Sequence, residues 1–309
     1  MPMIPAVSRA PGVASARERR ADLIVVGDVM VDVSVRAGAL ASGGDVHGEV
    51  RIRPGGTGPN AAVWAASRGA TVRLHGRVGD DLIGRLVRQE LEARGVEVTF
   101  AVDGEARTGS MLVVRQDGER SMVADRGANA RLSPQDLPGE LEAGAVLVSG
   151  YLLFHPSSEP AARAALERAR APLVAIDAAS WPLVAAYGAG RFLAATAAAT
   201  LLLANEPEAE ALTGRPAEEA AAVLAGRARA AAVKLGERGA LLAMGGTVHR
   251  HQGSPRGARD DPDSTGAGDA FDGVLLAALA HGASPPEALE QACRAGAAAA
   301  TGPDPWPDR

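Results

Sequence analysis

Asp263-Ser264-Thr265-Gly266-Ala267-Gly268-Asp269-Ala270-Phe271 decides how this chain of 309 residues is read. Three small residues stand directly before a carboxylate, and a helix-like run from Phe271 to Ala280 follows. The first N–H groups of a helix have no intrahelical partner, and the positive end of the helix dipole lies there. Small residues at that point let the backbone close around an anion. Asp269 sets an acid at the edge of the pocket. An anion hole beside a general base is what phosphoryl transfer to a hydroxyl requires. Taken alone, the stretch also fits a plain glycine-rich helix entry with Asp269 as a helix-terminal acid.

Other segments narrow that choice. Arg53-Pro54-Gly55-Gly56-Thr57-Gly58-Pro59-Asn60 is a second glycine-dense turn running into a helix, with Pro59 in the first turn and Asn60 projecting from it. Gly76 to Gly84 reads as a tight turn and helix cap. Asn205-Glu206-Pro207-Glu208 ends a strand and opens a helix, and by itself is simple capping. Lys234-Leu235-Gly236-Glu237-Arg238-Gly239 ends another strand, and by itself is a glycine-rich turn. Ligands of open α/β sheets bind beyond the carboxyl ends of the strands. Asp28, Asp32, Asn205, Lys234 and Asp269 all fall at or near such ends, which argues for one cleft. Two common phosphate-binding motifs are absent. Gly268 to Gly273 has the spacing of GxxxxGK[ST], but Val274 stands where the Lys belongs, and no GxGxxG follows a strand.

From Ala145 onward strands alternate with helices, the pattern of parallel βαβ units. Strands are expected over Ala21–Gly27, Thr71–Gly76, Ala145–Ser149, Leu173–Asp177, Leu201–Ala204 and Ala231–Leu235. A hairpin is expected around Gly245-Gly246, and two helices follow, Ala267–His281 and Pro285–Ala300. Between the early strands lie two strand-rich insertions, about 32–55 and 99–123, expected to pair into a small sheet. The domain expectation is one α/β domain over 21–309, preceded by a disordered extension over 1–20.

Bulk composition excludes several classes. Hydrophobic residues make up 47% of the chain, enough for a large core, but three Trp, two Tyr and four Phe supply few stacking platforms for nucleic acid. Net charge is −5 and no basic stripe occurs. No apolar run reaches membrane-spanning length. A single cysteine, Cys293, rules out an internal disulfide, and a cytoplasmic location is expected.

Taken together, these segments resemble the PfkB/ribokinase family of sugar and nucleoside kinases, from about Ala21 to Gly302. The resemblance rests on Gly55–Asn60, Gly76–Gly84, Asp125-Arg126-Gly127-Ala128-Asn129, Asn205–Glu208, Lys234–Gly239 and Asp263–Asp269, in that order. It implies a ribokinase-like fold, a Rossmann-like three-layer α/β/α domain with a small β-sheet lid, and it implies ATP and Mg²⁺. Carried over residue by residue, Asp269 is the base, and the backbone of Gly266, Ala267 and Gly268 is the anion hole. Asp32, Gly55, Gly56 and Asn60 hold sugar hydroxyls. Asn205 and Glu208 organise Mg²⁺ through water, and Lys234, Gly236 and Gly239 belong to the nucleotide-side loop. Asp263 is assigned to a monovalent cation such as K⁺.

The expected activity is phosphorylation of a hydroxyl of a small sugar. A nucleoside kinase of the same fold is the alternative, with Met30, Trp64, Tyr151 and Phe154 as its platform, and a non-catalytic sugar or nucleotide sensor ranks third. Met30 stands where ribokinases proper carry a polar sugar contact, which argues against ribose. Arg51, Arg53, Arg107 and Arg126 fit either a plain solvated face or a site for acidic or phosphorylated sugars. Exposed strand edges in the lid suggest a homodimer. After Ala297–Pro303 the chain departs from the family's usual loop into Asp304-Pro305-Trp306-Pro307.

Overall fold

Val-, Leu- and Ala-rich runs without polar alternation form strands buried on both faces, and these build the centre of the molecule. A computed structural model describes residues 20–37, 43–116, 119–253, 265–302 and 306–308. The expected extension over 1–20 lies, apart from Arg20, outside the described residues. In chain order, β1 (Ala21–Val26), β2 (Met30–Ala37) and β3 (Gly48–Gly55) precede α1 (Thr57–Ala66). They are followed by β4 (Val72–Gly79), α2 (Leu82–Glu92), β5 (Val96–Asp103), β6 (Gly109–Gln116), β7 (Glu119–Asp125) and β8 (Leu141–Ser149). Next come α3 (Glu159–Arg168), β9 (Ala169–Arg170), β10 (Leu173–Asp177), α4 (Trp181–Tyr187), α5 (Ala189–Ala195), β11 (Leu201–Asn205) and α6 (Glu206–Thr213). Last are α7 (Ala217–Ala228), β12 (Ala230–Lys234), β13 (Ala240–Met244), β14 (Thr247–His251), α8 (Ala267–Ala280) and α9 (Pro285–Thr301).

The large sheet runs β14-β13-β12-β11-β10-β8-β1-β4-β5, with β9 beside β8. From β12 to β5 its neighbours are parallel, and β13 and β14 add an antiparallel edge. Successive residues of each strand face opposite layers. Ile24 and Val26 join Val146, Val148, Ile176 and Leu202 against α3, α6 and α7. Leu23 and Val25 join Leu147 and Leu203 against α1, α8 and α9. This is a three-layer α/β/α domain. Small side chains in both layers let the helices pack close to the sheet.

A second, four-stranded sheet runs β3-β2-β6-β7. The expected second insertion began at residue 99, and the structure corrects this. β5 pairs in parallel with β4 in the large sheet over Val96–Asp103, so the small sheet takes its second pair of strands only from Gly109. Val96 and Phe100 are buried against the large core, and that burial decides the partner. At the start of α2, Asp81 accepts from Gly84 N at 2.8 Å and from Thr108 N at 2.8 Å, as the turn-and-cap reading of Gly76–Gly84 requires. Among the described residues, no helix is long and apolar enough to cross a membrane.

Candidate active site

The parallel strands all end on one side of the large sheet, and each ending delivers a polar group. Asp28 follows β1, Ser149 ends β8, Asp177 ends β10, Asn205 ends β11 and Lys234 ends β12. Register places Asp177 beside Ser149, and Asn205 beside Lys234. α8 starts over this row. Between them lies a cavity lined in part by Thr57, Ser149, Asp177, Asp269 and Asp272.

Gly266 caps α8 in the left-handed conformation (φ 79°) and, being a glycine, brings no side-chain cap to the first turn. The N–H groups of Ala267, Gly268 and Asp269 lie at this helix N-terminus, the end that favours an anion. Beneath them, a Cβ on Gly268 would lie 3.4 Å from Lys234 Nζ, so a positive charge backs this cradle. Asp269 sits in the first turn and receives the Asn60 amide, Nδ2 to Oδ2, at 2.8 Å. That contact depends on a close crossing of α1 and α8, where a Cβ on Gly273 would fall 2.2 Å from Ala61 O. Burial pushes the Asp269 carboxyl up to about 7; the Asn60 hydrogen bond and Lys234 oppose the rise, while Asp177 and Asp32 add to it.

Lys234 does not extend into the β12–β13 loop. Its ammonium lies on the cleft floor, 2.8 Å from Asp177 Oδ2 and 2.9 Å from Asp272 Oδ2. Burial works against the ammonium, but Asp177, Asp272 and Glu208 overcome it and hold it charged. The Asp272 carboxyl is raised well above the usual range, first by burial and then by Asp177, against the pull of Lys234. Of the loop beyond, Gly236 is exposed and Gly239 (φ 90°) is pressed against His251 O. Asn205 and Glu208 form a capping box at α6: Asn205 N and Nδ2 donate to the two Glu208 oxygens, each at 2.8 Å. Glu208 is buried, and burial with the Asp177 charge pushes its carboxyl up to about 7.

On the small-sheet side, the Asp32 carboxylate lies over Gly55, where a Cβ would come within 2.2 Å of Oδ2. Gly56 caps α1 against Asp28 O. Asn60 is only 3% exposed, and its Oδ1 accepts from Trp306 Nε1 at 2.8 Å. One amide proton thus goes to Asp269 and the oxygen to Trp306. The arginine expectation is narrowed. Arg126 is neutralised by a bidentate contact to buried Asp28, at 3.1 and 2.8 Å, and Arg51 pairs with Glu49. Asp263 lies outside the described residues. Among the described residues, no three His, Cys, Asp or Glu side chains converge to hold a metal ion.

A family model described as pfkB family carbohydrate kinase matches residues 20–305. This chain belongs to that family. The fructokinase of Klebsiella pneumoniae is 31% identical over 298 residues, covering 90% of this carbohydrate-kinase family member and 93% of that enzyme. The aminoimidazole riboside kinase of Salmonella typhimurium is 37% identical over 126 residues, 38% of this chain and 37% of that enzyme. This family member spans less than half the length of that relative. Among solved structures, the Arabidopsis thaliana ribokinase complexed with ribose and ATP superposes with a TM-score of 0.71. It is 25% identical and covers 94% of this chain and 96% of that one.

Three polar groups of the family member's cleft were not singled out from sequence. Asp177 ends its strand as Asn205 and Lys234 end theirs, so strand-end position was the available signal. Asp272 lies one turn beyond Asp269, on the same face of α8. Trp306 has no local signal, because its partner is 246 residues away.

Proposed function

We propose that this protein transfers the terminal phosphoryl group of ATP to a hydroxyl of a small sugar. The observation that carries the reading is Asp269, held by Asn60 in the first turn of α8, beside the glycine-capped N-terminus of that helix. Asn60 occupies Oδ2, which leaves Oδ1 to take the proton of the attacking hydroxyl. A carboxyl raised to about 7 is matched to that task at neutral pH. The N–H groups of residues 267–269, backed by the Lys234 ammonium, hold the oxygens of the transferring group. Asp32, from the small sheet, accepts from substrate hydroxyls, and Gly55 and Gly56 let the substrate approach the backbone.

Lys234 pairs with Asp177 and Asp272, and Glu208 and Asp269 lie within the field of the same ammonium. Mg²⁺ would therefore enter with the phosphates of ATP rather than rest in a preformed carboxylate site. Both Glu208 oxygens already bond Asn205, so Glu208 fits contact with Mg²⁺ through water rather than direct ligation. ATP with Mg²⁺ supplies the phosphoryl group and neutralises its charge. The small sheet acts as a lid that keeps water from the transferring group. ADP release across a panel of sugars and nucleosides tests the assignment. Turnover on no member of the panel, with ligands nevertheless bound, would favour a sensor. A nucleoside as the best substrate would favour the second reading, for which Tyr151 speaks: it stands in the field of the cleft carboxylates, and Phe154 packs against it at 6.5 Å.

We also propose that two copies pair through their lids. Register puts Val33, Val35, Val50, Ile52, Leu112 and Val123 on one face of the small sheet, opposite the face that carries Asp32. Val50, Ile52 and Val123 are more than half exposed there. The contact is then face to face rather than through strand edges.

A further inference from the structure

We propose that Trp306 is a positioning residue of the active site, one that fixes the Asn60 amide and, through it, the Asp269 carboxylate. The inference rests on the reading of Asp269 as the base.

The argument is one of donors and acceptors. An indole N–H can only donate, so it demands an acceptor, and the Asn60 Oδ1 meets it at 2.8 Å. With the oxygen committed, only the amide nitrogen can face Asp269, which it reaches at 2.8 Å. A flipped amide would set oxygen against carboxylate and N–H against N–H. At 3% exposure, Asn60 has no water to rescue either mismatch. The tautomer-like ambiguity of an asparagine amide is thus removed by a residue remote in sequence.

Trp306 is itself held. It is 5% exposed, and the Arg94 guanidinium lies 5.0 Å from its ring centroid. Arg94 Nη1 also donates to Pro307 O at 2.8 Å. The contacts therefore run from Arg94, just beyond α2, through Trp306 to α1 and on to α8.

The consequence follows from what else faces Asp269. Asp32 from β2 and Asp177 from β10 disfavour its negative charge, and Asp272 from the next turn of α8 lines the same cavity. Tyr151, after β8, lies in the same field. Lys234 from β12 and the Asn60 amide favour the carboxylate. Releasing the amide removes one of these supports, so the carboxyl holds its proton to higher pH.

Trp306→Phe keeps the ring and its seat under Arg94 and deletes the N–H. The acid limb of kcat/KM is expected to move up by about one pH unit, which is about tenfold in rate on that limb. Activity should recover toward the unsubstituted level above the limb, with little change in sugar KM. In an Asn60→Ala background the same substitution should add nothing. A chain ending at Gly302 serves as the second variant and should show the same displaced limb.

A readout free of catalysis accompanies these assays. The pH dependence of urea unfolding, compared with that of Asp269→Asn, isolates the Asp269 titration, and Trp306→Phe should move its midpoint upward. If Asp269→Asn stays active while that midpoint moves, the base role fails and the positioning role stands. An unmoved midpoint, or an equal loss in the Asn60→Ala background, overturns the proposal.

Discussion

Two buried side chains show how context sets charge in this protein. Asp269 is raised by the cleft, whereas His75 is lowered by the core. His75 lies on β4, 2% exposed, and neither ring nitrogen has a hydrogen-bond partner among the described residues. Burial first, and the Arg73 charge second, pull its imidazole down to about 4. The folded protein thus keeps His75 neutral while the unfolded chain protonates it below about 6.5. The sign is that of a depressed base: the protein loses stability as pH falls from about 6.5 toward 4. Between pH 7 and pH 5 the loss from this one group is about 2 kcal/mol. His75→Leu should remove that part of the pH dependence in urea unfolding, and an unchanged pH dependence would contradict the assignment. At this scale the sequence was uneven. Asp269, Asn60 and Glu208 were legible because each sits in a short local pattern. Asp177, Asp272 and Trp306 were not, because their roles come from strand ends and helix faces that meet only after folding. Lys234 was read with its loop, whereas its long side chain turns back to the carboxylates on the floor.

The α1–α8 crossing is the element on which the site depends, since it brings Asn60 to Asp269. Gly273 makes it possible by bringing no Cβ into contact with Ala61 O, 2.2 Å from where that atom would lie. Gly273→Ala should force the helices apart and destabilise the fold by about 1–3 kcal/mol. It should also cut turnover at temperatures where the protein remains folded, because Asn60 is displaced. Thermal unfolding and kcat, measured on the same preparation, check both parts; native stability with native turnover would contradict the role given to the crossing. The glycine spacing from Gly268 to Gly273 resembled a phosphate loop in part, and its second glycine proves to serve helix packing. Most strand positions after Ala145 were legible from their apolar runs, whereas α4 and α5, between β10 and β11, were not. Nor was the partner of β5: a short alternating strand suits either sheet, and the burial of Val96 and Phe100 against the large core decides it.

As a whole, the molecule sets a small sheet over the carboxyl ends of a large one, with the cleft between Asp32 on one side and Asp269 on the other. The outward face of the small sheet is apolar, and pairing of two such faces predicts a dimer. Sedimentation at tens of micromolar should give the dimer mass, and Ile52→Lys with Val123→Lys should give the monomer. A monomeric unsubstituted protein at that concentration would contradict the pairing. That the cleft performs phosphoryl transfer, with Asp269 as its base, is tested most directly by the turnover of Asp269→Asn on the best sugar substrate, read as ADP release at saturating ATP. The substitution keeps shape and removes the proton acceptor, so a loss of about a hundredfold or more is expected, with the protein still folded. Near-normal turnover would show that Asp269 is not the base.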